Sequence, residues 1–192
     1  MKSDLLKSFK ITLSFCVLFS VFYLFVLWVF AQVAGPNKGN VEWVVLDGKV
    51  VGAARVGQSF TEPVYFWGRP SAVDYAADGS GASNHGPSNP EHLKNVEDRI
   101  AACLAAHPDR EKKDIPVELV TASGSGLDPD ISPEGAYVQV KRVAAARGVP
   151  EEQIEAIVAS QVEKPLWGIF GPAKVNVLKL NVALELAGKK SK

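Results

Sequence analysis

Cysteine is nearly absent from this 192-residue chain: Cys16 lies in an apolar run and Cys103 in a predicted helix. Two such cysteines, without ligand spacing around them, exclude a disulfide scaffold and read as small apolar packing residues. Histidine is as scarce. His85, His92 and His107 show no metal-ligand spacing with Cys or Asp, and all three read as surface polar residues, with His85 in its loop the one to watch. Charge of one sign is missing too. The chain has 21 Lys and Arg against 21 Asp and Glu, and 18 basic and 20 acidic residues remain beyond the N-terminal apolar run. A slightly acidic body argues against a nucleic-acid surface. Motifs of catalysis are wanting as well. No GxxxxGK[ST] occurs, and no GxGxxG opens a helix. A nucleophile elbow at Ser125 fails because Ser123 and Leu127 stand where glycine is required. A helix-turn-helix around Arg147-Gly148-Val149 fails because its second helix carries Glu151, Glu152 and Glu155 where DNA demands basic side chains.

What is abundant is apolar sequence at the N-terminus. Ile11 to Ala31 carries no charge and is dominated by Phe, Leu, Val, Ile and Trp. As a helix its 21 residues span about 31 Å, close to the hydrocarbon thickness of a bilayer. Thr12, Ser14 and Ser20 can bond back to their own helix carbonyls. Trp28 falls near the far interface, and Gly35-Pro36-Asn37 stops the helix. A cleaved signal peptide competes, with Val29-Phe30-Ala31 as its site. Its apolar core is too long, and bulky Phe30 sits beside the cut. Lys2, Lys7 and Lys10 precede the run and only Lys38 follows closely. The positive-inside bias therefore puts residues 1–10 in the cytoplasm, a transmembrane helix over 11–34, and residues 36–192 outside the cytoplasmic membrane.

The body reads as a mixed domain. Val41–Leu46 and Lys49–Ala54 form a hairpin around Asp47-Gly48. Val64–Trp67 is an apolar and aromatic run that suits a strand end. Residues 68–90 form a long Gly/Pro/Ser/Asn loop, a kind that is functional or disordered, and Tyr75 offers it an anchor. Asn89 caps a helix with Pro90 at its first position and Leu93, Val96, Ile100, Cys103 and Leu104 on one face. Ser132-Pro133 opens another, with Tyr137, Val140, Val143, Ala144 and Arg147 on its face and Gly148 at its end. Pro150-Glu151-Glu152 opens a third, striped by Ile154, Ile157, Val158 and Val162. Trp167–Pro172 is a turn. Val175-Asn176-Val177 alternates, then Leu178, Leu180, Val182 and Leu184 alternate out of phase, which implies a β-bulge or the end of the strand. The fold class is α+β: one N-terminal transmembrane helix, then a single mixed α/β soluble domain.

Two features carry candidate chemistry. Ser123-Gly124-Ser125-Gly126 offers backbone N–H groups to an anion, or is simply a shaped turn. Arg69, Arg142 and Arg147 can pair with Asp128, Asp130 or a partner's carboxylates, though solvated or structural ion pairs are the commoner fate.

As a string, Leu119–Arg147 resembles the C subunit of the Kdp-type potassium-transporting ATPase of prokaryotes. Three further blocks follow that family's order: Tyr65-Phe66-Trp67-Gly68-Arg69-Pro70-Ser71-Ala72 with Tyr75; Ser80–Asn84 with Gly86–Pro90; and Glu163, Gly168, Gly171 and Val175–Leu178 with Leu180-Asn181. Ala82, His85, Asp130 and Ala53–Val56 depart from the family's usual residues. The resemblance implies an accessory, non-catalytic subunit of a high-affinity, ATP-driven K⁺ uptake pump, in the cell inner membrane. Its implied partners are a K⁺-channel-like subunit, a P-type ATPase subunit and a small single-helix subunit. It implies assembly and activation, raising the ATP affinity of the catalytic subunit, with ATP reached through the complex and no cofactor of its own. The chain has neither Asp-Lys-Thr-Gly nor Thr-Val-Gly-Tyr-Gly, which fits that division of labour. Charge-based topology puts the domain away from cytoplasmic ATP, so it is expected to dock over the extracytoplasmic mouth of the channel subunit. Arg69, Asn84, Ser123, Ser125 and Asp128, on two loops, are the expected contact residues. A membrane-anchored extracytoplasmic hydrolase or ligand-binding module is the alternative.

Overall fold

The computed structural model describes residues Lys2–Lys190. The chain divides after Glu42 into two units. The first is dominated by helix α1, Lys2–Ala34, the one described helix long and apolar enough to cross a membrane. It starts in the lysine-bearing flank and runs on through the uncharged stretch, widening to π-type geometry over Val17–Tyr23. Ser14 Oγ donates to Lys10 O at 2.8 Å, so its hydroxyl is satisfied inside the helix. Gly35 ends α1 with an extended backbone, as the Gly-Pro step requires.

The second unit opens with strands β1 (Trp43–Leu46) and β2 (Lys49–Ala53), an antiparallel hairpin. Asp47 and Gly48 both have positive φ, the geometry that lets a two-residue turn follow the strand twist. The pairing slips between Val44 and Val45. Val64–Trp67 joins no strand, and an irregular segment runs from there to helix α2, Pro90–Ala106. Asn89 caps α2 by accepting from the N–H groups of Glu91 and His92. Val96, Ile100 and Leu104 pack with Cys103, Ile115 and Val120 in a small cluster, while Leu93 stays half exposed beside the helix start.

After β3 (Asp130–Ile131), the expected single helix is two: α3 (Pro133–Tyr137) and α4 (Val140–Arg147). Ser132 Oγ caps α3 by accepting from Gly135 N, and Gly148 ends α4 with left-handed backbone. The break turns Ala136 and Gln139 inward and leaves Tyr137 at 40 % exposure, outside the buried face. Helix α5 (Glu151–Gln161) leads into β4 (Val162–Glu163). Strand β5 (Lys174–Asn176) lies between β3 and β4, antiparallel to both.

The C-terminal alternation is not a strand. It ends at Asn176, and Val177–Lys190 is helix α6. Asn176 Oδ1 accepts from Lys179 N, an N-terminal cap. Val177, Leu180, Asn181 and Leu184 are buried at helical spacing, whereas Val182 is only partly covered. The main core gathers Phe66, Ile131, Val143, Ile154, Val158, Val175, Leu180 and Leu184 between the three-stranded sheet and α4, α5 and α6.

Candidate functional site

A fully buried phenylalanine in an irregular segment creates the demand that organises the site. Phe66 is 0 % exposed, yet no strand neighbour serves its backbone. Asn181 of α6 supplies the missing ladder: its Oδ1 accepts from Phe66 N at 2.8 Å, and its Nδ2 donates to Phe66 O at 3.0 Å. Gln139, between α3 and α4, does the same for the next residue. Its Oε1 accepts from Trp67 N at 2.8 Å and its Nε2 donates to Trp67 O at 3.1 Å. Buried backbone groups must be paired, and here two side-chain amides pair them.

Arg142 completes this frame. Its guanidinium lies 3.9 Å over the Trp67 ring. Nη1 donates to the carbonyls of Pro63 and Tyr65, Nη2 to Gln139 Oε1, and Nε to His107 Nε2. Burial pushes its pKa down to about 10, so it stays charged at neutral pH. His107 is not the surface residue its sequence context implies; it is 2 % exposed. Accepting from Arg142 at Nε2 forces its proton onto Nδ1, which donates to Cys103 O at 2.8 Å. Burial, then the Arg142 charge, lowers its pKa. Cys103 Sγ lies 3.6 Å from His107 Nδ1, but that nitrogen carries a proton and burial raises the thiol pKa. The pair therefore has no thiolate to offer as a nucleophile. Arg147 does not reach Asp128 or Asp130 either. It pairs with Glu185 at 2.7 Å and donates to Val64 O, while Asp130 takes Lys174 at 2.6 Å.

Beside this frame the two expected loops are stitched together. Arg69 Nη1 pairs with Asp128 Oδ2 at 2.9 Å across 59 residues of sequence. Ser71 Oγ donates to Gly126 O and accepts from Val73 N and Tyr75 N. Ser123 N donates to Pro70 O, and Gly81 N and Ser80 Oγ both donate to Ser125 O. Tyr75 OH bonds Arg69 O, and burial, then the Asp128 charge, raises its pKa. Within the Gly/Ser turn, Ser123 Oγ accepts from Gly126 N and Ser125 Oγ from Leu127 N. These hydroxyls shape the turn. Arg69, Ser123, Ser125 and Asp128 thus meet in one place. Asn84 is exposed with a left-handed backbone, and among the described residues no hydrogen bond joins it to those four.

A cleft of about 280 Å³ opens where frame and loops meet, lined by Trp67, Arg69, Tyr75, Arg99, His107 and Gln139 among others. That volume is at the small end for a ligand site. Among the described residues the buried Nε of Arg69 has no hydrogen-bond partner. No described cluster of three or more His, Cys, Asp or Glu could hold a metal. Gln139, Asn181, His107 and Arg142 escape a motif search. Arg142 is signalled in the sequence as a candidate ion-pair residue, and Gln139 and Asn181 as members of family blocks, whereas His107, at a helix end, carries no such signal.

Comparison with known proteins adds what geometry does not. Residues 5–186 match the family model described as KdpC: K⁺-transporting ATPase, c chain. A potassium-transporting ATPase KdpC subunit from Bacteroides thetaiotaomicron is 64 % identical over 183 residues, 94 % of this chain and 97 % of the relative. The subunit of that name from Flavobacterium psychrophilum is 52 % identical over 176 residues, covering 92 % and 94 %. One from Caldanaerobacter subterraneus is 44 % identical over 192 residues, the full length of both chains.

Proposed function

Because this chain belongs to the KdpC family, the c chain of K⁺-transporting ATPases, we propose that it is the accessory subunit that assembles and activates an ATP-driven K⁺ uptake pump without hydrolysing ATP itself. The observation that carries the non-catalytic part is the fate of the hydroxyls. Ser123 and Ser125 both serve backbone N–H groups of their own turn, and His107 is locked between Arg142 and Cys103. Among the described residues neither Ser123 nor Ser125 is hydrogen-bonded to a side chain that could act as its base, as a nucleophile requires.

α1 anchors the chain in the cell inner membrane, with the N-terminal lysines in the cytoplasm and the folded unit outside. Its partners are the channel-like subunit, the P-type ATPase subunit and a small single-helix subunit. The loop pair closed by Arg69 and Asp128 faces the extracytoplasmic mouth of the channel subunit, with Asn84 and Ser125 exposed on the two loops, whereas Ser123, only 2 % exposed, shapes the turn from beneath. Any gain in ATP affinity then passes through contacts among subunits and not through nucleotide held by this chain.

Potassium uptake in cells that depend on this pump tests the reading. Arg69→Ala is expected to weaken assembly and uptake at low external K⁺. Normal assembly and uptake would remove Arg69 from the contact surface. Protease added to intact spheroplasts should cut residues 36–192, and full protection would reverse the orientation.

A further inference from the structure

Pro165-Leu166-Trp167-Gly168-Ile169-Phe170-Gly171-Pro172 has no charged side chain, and it forms a hairpin tip that the pump reading leaves without a role. Leu166 and Phe170 close the tip with reciprocal backbone hydrogen bonds of 3.0 Å. Trp167 and Gly168 turn it with positive φ, and for tryptophan that backbone is uncommon. The result holds Leu166, Trp167, Ile169 and Phe170 outward at 62, 82, 76 and 56 % exposure. Trp167 meets Phe170 edge-on with ring centroids 5.8 Å apart, so the tip is a formed apolar cluster. Such a contiguous exposed apolar cluster marks an interaction site.

Two observations select a bilayer surface as its occupant. The first is composition. Trp, Phe, Leu and Ile stand between Lys164 and Lys174, and Trp167 Nε1 is the one polar side-chain atom from Leu166 to Phe170. An amphipathic indole with apolar neighbours and Lys164 beside them suits the headgroup layer, Lys174 being paired with Asp130. A protein-docking surface would carry several hydrogen-bonding groups as well. The second is reach. Eight residues, 35–42, join α1 to β1. At full extension they allow about 29 Å. With α1 in a membrane, the folded unit stays within reach of the headgroups.

We propose that the Leu166–Phe170 tip is a second membrane contact, seated in the interfacial layer of the leaflet on the domain's side. The proposal rests on α1 spanning the membrane. Seating the tip adds a second attachment to a domain otherwise held by the 35–42 segment alone, and so presents its remaining surfaces to partners at a fixed height.

The test uses the full chain in phosphatidylcholine–phosphatidylglycerol vesicles, alone and within the assembled complex. An environment-sensitive fluorophore is placed at Ile169→Cys in a Cys16→Ser background. Ser88→Cys in the long loop and native Cys16 in α1 serve as separate controls. Brominated acyl chains and aqueous iodide compete as quenchers. The expected result is strong bromolipid quenching and weak iodide quenching at position 169 with the chain alone, and the opposite at position 88. Adding Trp167→Glu should remove the bromolipid quenching at 169. Iodide quenching at 169 with bromolipid quenching preserved at Cys16 overturns the tip while the span stands. Protection at 169 from both quenchers, appearing only in the complex, assigns the tip to a partner protein and also overturns it. No bromolipid quenching at either 169 or Cys16 rejects the span and the tip together.

Discussion

Replacing Arg142 with alanine is the sharpest single perturbation of the site. Four acceptors lose a donor: His107 Nε2, Gln139 Oε1, Tyr65 O and Pro63 O. They do not suffer equally. Gln139 Oε1 keeps Trp67 N, and the Pro63 bond is exposed, so water can replace the donor there. His107 Nε2 and Tyr65 O are left short in covered surroundings, at about 1–3 kcal/mol each. Loss of the guanidinium from the Trp67 face adds about 0.5–2 kcal/mol. The expected destabilisation is about 4 kcal/mol, a large share of the roughly 5–15 kcal/mol typical of a folded domain. Urea unfolding of the full chain in detergent, followed by tryptophan fluorescence, measures it as a lowered midpoint at constant slope. Arg142→Lys should recover less than half, because an ammonium cannot fork to carbonyls, amide and imidazole at once. A loss below about 1 kcal/mol, or full recovery by lysine, would refute the idea that this guanidinium holds the 63–67 segment in place.

Three further expectations follow from the same geometry. His107 has a lowered folded-state pKa, so the unfolded chain takes the proton first; stability should hold above about pH 6.5 and fall progressively below it until the folded-state pKa is passed. The difference in urea midpoint between wild type and His107→Gln, followed from pH 8 to 5, isolates that contribution. Asn181→Leu keeps the volume but orphans the N–H and C=O of Phe66, and should cost about 2–5 kcal/mol in thermal or urea unfolding. Gly126→Ala puts a Cβ 2.4 Å from Val73 Cγ2 and 2.8 Å from Gly81 O at a φ of +69°, whereas Gly148→Ala at +67° meets open space. The first should cost about 1–3 kcal/mol more than the second in the same assay.

Much of this arrangement is legible in the sequence because it is set by local chemistry. The Asp47-Gly48 hairpin, the Asn89 and Ser132 caps and the stops at Gly35 and Gly148 all depend on a residue's own backbone preference or its reach to nearby N–H groups. The misread elements turn on distant partners. Val64–Trp67 reads as a strand end, but the backbone partners of Phe66 and Trp67 are the side chains of Asn181 and Gln139. Leu178–Leu184 fits both period 2 and period 3.6, and Asn176 decides for a helix only once its side chain is seen to cap one. His107 looks exposed beside a proline, yet Arg142, 35 residues on, draws it inside. Four of the five expected contact residues meet because Arg69 and Asp128 pair over a long separation, one of several pairings the charges allow and one that spacing alone does not select. Asn84 stays exposed on its loop, and among the described residues no hydrogen bond joins it to them.

The central claim is that this chain works as one subunit of a K⁺ pump. Gentle solubilisation of membranes, capture of the full-length chain and identification of its companions test it most directly. The account predicts a channel-like K⁺ subunit and a P-type ATPase subunit recovered in fixed ratio. Recovery of the chain alone, folded and stable, would contradict it.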